Sequence, residues 1–232
     1  MVLQREIDKL NRQMLDLGGR VEESVRHAIR ALETRDAMLA RKVEAEDSNI
    51  DAEEVALEES CLKVLALHQP VAIDLRVIIS VLKINNDLER IGDFAVAIAR
   101  CARSPANGAM PWPEEMPVLT ALATRMLGEA LDAFVRFDAK AARAVCLSED
   151  QFKNAFHSLR ENLSQMLRET RDANVVDAAL DQLAVGRSLQ RICGHASNIA
   201  EDVLYMLDGV VVRHNPQAIQ REQDVPATFQ KP

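Results

Sequence analysis

Apolar residues recur along most of the chain at the three- and four-residue spacing of amphipathic α-helices. Six long helices are predicted from this pattern, at about residues 5–33, 37–68, 71–102, 118–136, 138–171 and 174–209. Asp36 is placed to cap the second helix, and Pro70 ends that helix because proline cannot continue the backbone hydrogen bonding. The pattern therefore predicts an all-α protein.

A proline-rich segment, SPANGAMPWPEEMP, separates the first three predicted helices from the last three. Its four prolines and one glycine exclude the interior of a regular helix or strand. We expect a first three-helix bundle over residues 1–103, this linker over 104–117 and a second bundle over 118–212. A loose, polar C-terminal tail is expected over 213–232.

The two halves of the chain match each other, which indicates an internal duplication. Residues 87–101 match 188–202 at an offset of 101, sharing an arginine and several apolar positions. Residues 36–43 match 138–145 at an offset of 102. A chance match at two places with nearly the same offset is improbable, so the sequence predicts two pseudo-symmetric three-helix bundles.

The duplicated helices keep their apolar stripe but not their polar face. The stripe of the third helix consists of Ile84, Leu88, Ile91, Ala95 and Ile98. Its counterparts in the sixth helix are Val185, Leu189, Ile192, Ala196 and Ile199. On the opposite face, Asn86, Glu89 and Asp93 are replaced by Arg187, Gln190 and Gly194. The two carboxylates are therefore not required to form this kind of helix, although exposed charges also drift freely.

The second helix carries an acidic ridge that is expected to lie near Glu89 and Asp93 of the third helix. Asp47, Asp51, Glu54 and Glu58 run beside a heptad seam of apolar residues. The antiparallel hairpin of the second and third helices places Asp47 level with Asp93, and Asp51 level with Glu89. Four carboxylates at one place suit a hard or borderline cation such as Mg²⁺, Ca²⁺, Mn²⁺ or iron. An ordinary solvated ridge is the alternative interpretation.

Composition narrows the class of protein further. The 232 residues carry a net charge of −8, which opposes binding to the phosphate backbone of nucleic acids. The four cysteines form no CxxC pair, so we expect reduced thiols. No signal-peptide segment or long apolar run is apparent, and the sequence predicts a soluble, cytoplasmic protein without direct membrane insertion.

The histidines argue against a di-iron enzyme. Such sites use Glu-x-x-His pairs, and none of the five histidines has a glutamate three residues before it. His195, next to Gly194, is either a replacement metal ligand or an ordinary packing histidine. The residues themselves leave open a metal-binding helical-bundle protein, either an enzyme or a metal store, and a purely structural scaffold.

Several long motifs resemble the signature of the PhoU family of phosphate-uptake regulators. They are EDSNIDAEE at 46–54, HQPVAIDLR at 68–76, LKINNDLERIGDFAVAIA at 82–99 and, for the second repeat, SLQRICGHASNIAEDVLYMLDG at 188–209. The resemblance implies a non-catalytic negative regulator of the phosphate-starvation response. Its partners would be a sensor histidine kinase and the ATPase subunit of a phosphate ABC transporter, and it would form a homodimer.

The resemblance also implies a metal site, because some family members bind cations through an E/DxxxD motif in each repeat. The first motif corresponds to Glu89 and Asp93, with Asp47 and Asp51 as further ligands, for Mg, Mn or Fe. In the second repeat, Gln190 and Gly194 stand where the family has carboxylates. We therefore expect at most one metal site, in the first repeat.

Overall fold

The computed structural model describes residues 2–212, and in this range the chain consists of six helices. They are α1 (Val2–Thr34), α2 (Ala37–His68), α3 (Ala72–Ala102), α4 (Met116–Arg136), α5 (Ala139–Glu169) and α6 (Ala173–Asp208). None of the six combines the length and the apolar character that crossing a bilayer requires. The prediction of an all-α fold is confirmed for the described residues.

The helix ends follow from local capping chemistry. The Asp36 carboxylate accepts hydrogen bonds from the backbone N–H groups of Met38 and Leu39, which have no partner inside α2. Its counterpart Asp138 caps α5 through the N–H of Ala141. The predicted cap of the second helix is therefore confirmed, and the second repeat has the equivalent cap at Asp138.

The linker is shorter than the sequence suggested. Helix α4 begins at Met116, two residues inside the segment predicted to be irregular, and Pro117 lies in its first turn. Proline is tolerated there because the first N–H groups of a helix have no intrahelical acceptor. The predicted tail, residues 213–232, lies outside the described residues.

The helices form two three-helix bundles, α1–α3 and α4–α6, in which every helix contacts the other two. The bundles pack on each other mainly through α3 and α6, with a smaller contact between α1 and α4. All members of the two predicted stripes are fully buried or nearly so. The apolar core therefore runs through both bundles, and the charged faces of α2 and α5 lie outside it.

Polar contacts tie the two bundles together across the α3–α6 contact. Lys83 Nζ lies 2.9 Å from the buried Asp202 carboxylate, and the Ser80 hydroxyl donates to the Asp202 backbone carbonyl. Further along, His195 Nδ1 lies 2.7 Å from Asp87 Oδ1. These contacts fix the register of α6 against α3.

Candidate metal centre and its counterpart face

The four predicted metal ligands lie together on the outer face of the α2–α3 hairpin, which we call the acidic face (Asp47, Asp51, Glu54, Glu58, Glu89 and Asp93). The Glu89 side chain is partly covered, with 26% of its surface exposed, whereas that of Asp93 is 48% exposed. Both are accessible from solvent. Glu89 and Asp93 therefore lie on the outer surface of the bundle, opposite the buried stripe of α3.

Close packing of the two helices brings Asp47 up against α3. Gly92 is buried, and a Cβ atom at this position would lie 3.4 Å from Ile50 Cγ2 and 3.6 Å from Asp47 Oδ1. The α3 backbone therefore lies directly beneath the Asp47 carboxylate. Ile50 belongs to the apolar seam of α2, so core packing sets the height of the carboxylates above it.

The pKa values show that the carboxylates interact as the hairpin register predicts. Burial raises the pKa of Asp47 above its ordinary value of 3.8, and the negative charges of Asp51 and Asp93 raise it further. Burial likewise raises the pKa of Glu89 above 4.5, with contributions from Asp93 and, more weakly, Asp51. Asp47 thus lies close enough to Asp93 for their charges to interact, and Glu89 lies close enough to Asp51.

Cations and amides partly compensate this concentration of negative charge. Arg90 lies 3.4 Å from Glu89 and 3.3 Å from Asp93. The buried Asn85 amide donates to both the backbone carbonyl and the side chain of Glu54. Sequence reasoning missed Asn85, although it is a polar residue between core positions, and its counterpart in the second repeat is Gly186.

The acidic face fits a cation by the chemistry of its donors, but its side chains are not arranged around one ion. Among residues 2–212, no group of three or more His, Cys, Asp or Glu side chains has the geometry of a metal site. Carboxylate oxygens are the ligands that Mg²⁺ and Mn²⁺ prefer. To hold a cation, the carboxylates would therefore have to adopt side-chain conformations other than those observed.

The raised pKa values predict that the acidic face destabilises the metal-free protein at neutral pH. Because the pKa of Glu89 is higher in the folded protein than in the unfolded chain, its stabilising effect is complete below pH 4.5 and is lost as the pH rises through the raised pKa. We expect Glu89→Gln to stabilise the protein by about 0.2–0.5 kcal/mol at pH 7. The gain should disappear near pH 4, as measured by urea unfolding with a chelator.

Glu59→Gln, on an exposed part of α2, is the control for this pH experiment and should change little at either pH. A Glu89→Gln protein less stable than the wild type at pH 7 would contradict the prediction. In that case the ion pair with Arg90 would contribute more than the carboxylate repulsion costs.

The equivalent face of the second repeat has a different character. Gln190 and Gly194 occupy the positions of Glu89 and Asp93, and a Cβ atom at Gly194 would meet nothing within 4 Å. His195 Nδ1 is engaged by Asp87, which also accepts a hydrogen bond from the Asn198 amide. His195 is therefore held by a carboxylate of the first bundle.

The four cysteines are free thiols. Burial raises the pKa of the Cys61 and Cys146 thiols to about 12 and that of Cys101 to about 11. Their thiolate forms, which bind metals and act as nucleophiles, are negligible at neutral pH. The prediction of reduced cysteines that behave as small apolar residues agrees with this environment.

Fold and faces together define a class of protein: an all-α chain made of two packed three-helix repeats, each presenting a polar outer face to solvent. Comparison with known proteins identifies the family. Residues 14–102 and 118–203 each match the PhoU domain. The chain belongs to the PhoU family.

Individual relatives extend this similarity over most of the chain. The phosphate-specific transport system accessory protein PhoU homolog of Pseudomonas aeruginosa is 38% identical over 212 residues, covering 90% of this chain and 86% of that protein. The crystal structure of PhoU from Pseudomonas aeruginosa matches with a TM-score of 0.84 at 36% identity, covering 89% of this chain and 99% of that one.

A more distant structure has the same fold. The phosphate transport system regulatory protein PhoU from Streptococcus pneumoniae matches with a TM-score of 0.84 at 26% identity, covering 90% of this chain and 99% of that one. The family and the duplicated fold predicted from the sequence motifs are therefore confirmed. The names of these relatives associate them with regulation of phosphate transport.

Proposed function

We propose that this chain is a cytoplasmic negative regulator of the phosphate-starvation response. It acts as an adaptor between the ATPase subunit of a phosphate ABC transporter and a sensor histidine kinase. The observation that carries the proposal is the similarity over about nine-tenths of the chain to proteins named as accessory and regulatory components of phosphate transport. Two packed repeats with exposed charged faces suit a protein that docks on partners.

Deletion of the gene in its host tests this function directly. We expect high alkaline phosphatase activity and unrestrained phosphate uptake in phosphate-rich medium, because the kinase would no longer be held inactive. Expression of the wild-type chain should restore repression. Phosphatase and uptake that stay unchanged after deletion, in a host with no second member of the family, would contradict the proposal.

Partner binding is tested separately from the phenotype. The purified chain should bind the isolated ATPase subunit and the cytoplasmic part of the kinase in pull-down experiments, and the acidic face and its counterpart are the surfaces to vary first. A mass close to twice 25.8 kDa by light scattering would support the homodimer. A monomer at all concentrations would contradict it.

We further propose that the acidic face binds one divalent or iron cation through Glu89, Asp93, Asp47 and Asp51. Support comes from the grouping of the four carboxylates in the expected register and from the raised pKa values of Asp47 and Glu89, which a cation would lower. When bound, the cation would replace Arg90 as the compensating charge. Its removal would leave the regulatory fold in place, because the core does not include these side chains.

A further inference from the structure

A polar groove of about 700 Å³ lies between α5 and α6 on the outer face of the second bundle. The groups on its walls that can interact with a ligand are mainly donors. They are Arg160, Arg187, Gln190, Arg191, His195 and Asn198. We call this surface the basic groove. Its volume falls within the range of about 300–1,000 Å³ that is usual for small-molecule sites.

The basic groove occupies the position that the acidic face has in the first repeat. The offset of 102 between α2 and α5, and of 101 between α3 and α6, relates the two surfaces residue by residue. Glu58 becomes Arg160, Asn86 becomes Arg187, Glu89 becomes Gln190 and Asp93 becomes Gly194, while Arg90 is kept as Arg191. The two repeats therefore have equivalent surfaces, of which one is acidic and the other is basic.

The three guanidinium groups of the basic groove are available to a ligand. Arg160, Arg187 and Arg191 are exposed and make no hydrogen bond or ion pair with the residues described between 2 and 212. The carboxylate lining the groove, Glu149, lies 3.2 Å from Lys153, which also lies 3.2 Å from Asp150. The three guanidinium groups and Lys153 together outweigh these two carboxylates. The groove thus carries an uncompensated positive charge from two helices, although the whole chain has a net charge of −8.

The floor of the basic groove is held in a fixed shape. Gly186 is buried, and a Cβ atom there would lie 2.6 Å from the ring of Phe156, so this glycine lets α6 approach α5 closely. The Asp87 carboxylate holds the His195 ring through Nδ1. The other ring nitrogen, Nε2, does not contact that carboxylate. Asn198 is oriented by the same carboxylate at 3.1 Å.

We propose that the basic groove binds a ligand that carries several phosphoryl groups. Guanidinium groups match phosphoryl oxygens in bidentate hydrogen bonds, and three of them on two facing helices can engage successive phosphates. The Gln190 amide adds a neutral donor, and His195 Nε2 can accept from a P–OH group. A groove of about 700 Å³ with three guanidinium groups has room for several phosphoryl groups, so the proposed ligand is a polyphosphate chain or a nucleoside polyphosphate.

Calorimetric titration of the full chain with four probes tests the proposal. The probes are tripolyphosphate, a nucleoside triphosphate, orthophosphate and an acidic peptide, at constant ionic strength in the presence of a chelator. We expect tripolyphosphate to bind at least tenfold more tightly than orthophosphate. If the nucleoside triphosphate and tripolyphosphate bind with equal affinity, the groove recognises the phosphate chain. If the nucleoside triphosphate binds more tightly, its base or sugar makes a further contact. An acidic peptide that binds more tightly than tripolyphosphate would overturn the proposal.

Two variants test the site itself. Arg187→Gln/Arg191→Gln should weaken tripolyphosphate binding at least tenfold, whereas Arg30→Gln, at an exposed position on α1, should leave it unchanged. Gln190→Glu/Gly194→Asp gives the basic groove the two carboxylates that the acidic face has at these positions, and the new side chain at position 194 has open space. This variant should abolish binding although it keeps all three arginines. No binding by the wild type, or equal binding by wild type and both groove variants, would overturn the assignment.

Discussion

Replacing Arg143 by alanine is expected to lower the free energy of unfolding by about 3–5 kcal/mol, because it strands a buried carboxylate. Arg143 Nη2 lies 2.8 Å from Asp208 Oδ2, with only 14% and 4% of the two side chains exposed. The other oxygen, Asp208 Oδ1, is buried without a hydrogen-bond partner among the described residues. Thermal unfolding should show the midpoint falling by roughly 6–20 °C.

The duplication supplies the control for this experiment. Arg41 is the counterpart of Arg143 in the first repeat, but it is exposed, and Arg41→Ala should change the free energy of unfolding by less than about 0.5 kcal/mol. The double variant Arg143→Ala/Asp208→Asn should recover part of the loss, because it removes the stranded charge. A double variant less stable than Arg143→Ala would show that Asp208 contributes through other contacts.

The placement of Asp208 explains why its partner contributes so much. It is the last residue of α6, where the helix dipole is negative and disfavours a carboxylate. Gly209 follows with a positive φ of 70° and ends the helix, as glycine readily does. Arg143 offsets both the burial and the unfavourable dipole, and it connects α5 to the end of α6.

The helices and their core could be predicted because both depend on local periodicity. The stripe from Ile84 to Ile98 is buried as a whole because residues at spacings of three and four share one helix face. The register of Asp47 against Asp93 was also predictable, since the short turn at Gln69 fixes how α2 returns as α3. Short-range constraints were sufficient in each of these cases.

Contacts between the bundles could not be predicted in the same way. Asp87 and His195 are 108 positions apart, and they meet only because α3 packs on α6. Neither residue stands out in its own helix pattern, so the sequence alone left His195 as either a ligand or a packing residue. The basic groove was missed for a related reason: Arg160 and Arg187 belong to different helices, and only packing places them on one surface.

Divergence between the repeats affected polar positions and preserved apolar ones. The Asn85–Glu54 contact of the first repeat is replaced at equivalent positions by the packing of Gly186 against Phe156. An amide that supports an acidic side chain has thus become an apolar floor. The outer faces of the two repeats therefore differ in contacting pairs of residues, whereas the apolar stripe beneath them is the same in character.

The second large effect is expected at the acidic face, where Glu89→Gln/Asp93→Asn should reduce the bound metal to background. Purified protein loaded with Mn²⁺ or Fe²⁺ should hold one ion per chain by elemental analysis. The metal should raise the thermal midpoint of the wild type, because binding to the folded state stabilises it by about 2.7 kcal/mol at a hundredfold excess over Kd. The midpoint of the variant should not change when metal is added. Asp47→Asn/Asp51→Asn should behave in the same way.

Glu149→Gln, at the counterpart of Asp47 in the second repeat, is the matched control and should retain the metal. Equal metal content in wild type and Glu89→Gln/Asp93→Asn would show that the carboxylates are surface charges. Arg90→Ala separates the two interpretations further. If Arg90 competes with the cation for Glu89 and Asp93, its removal tightens metal binding while it weakens the metal-free protein. If the acidic face holds no cation, only the loss of stability is observed, because Arg90 is then simply the charge that compensates its neighbours.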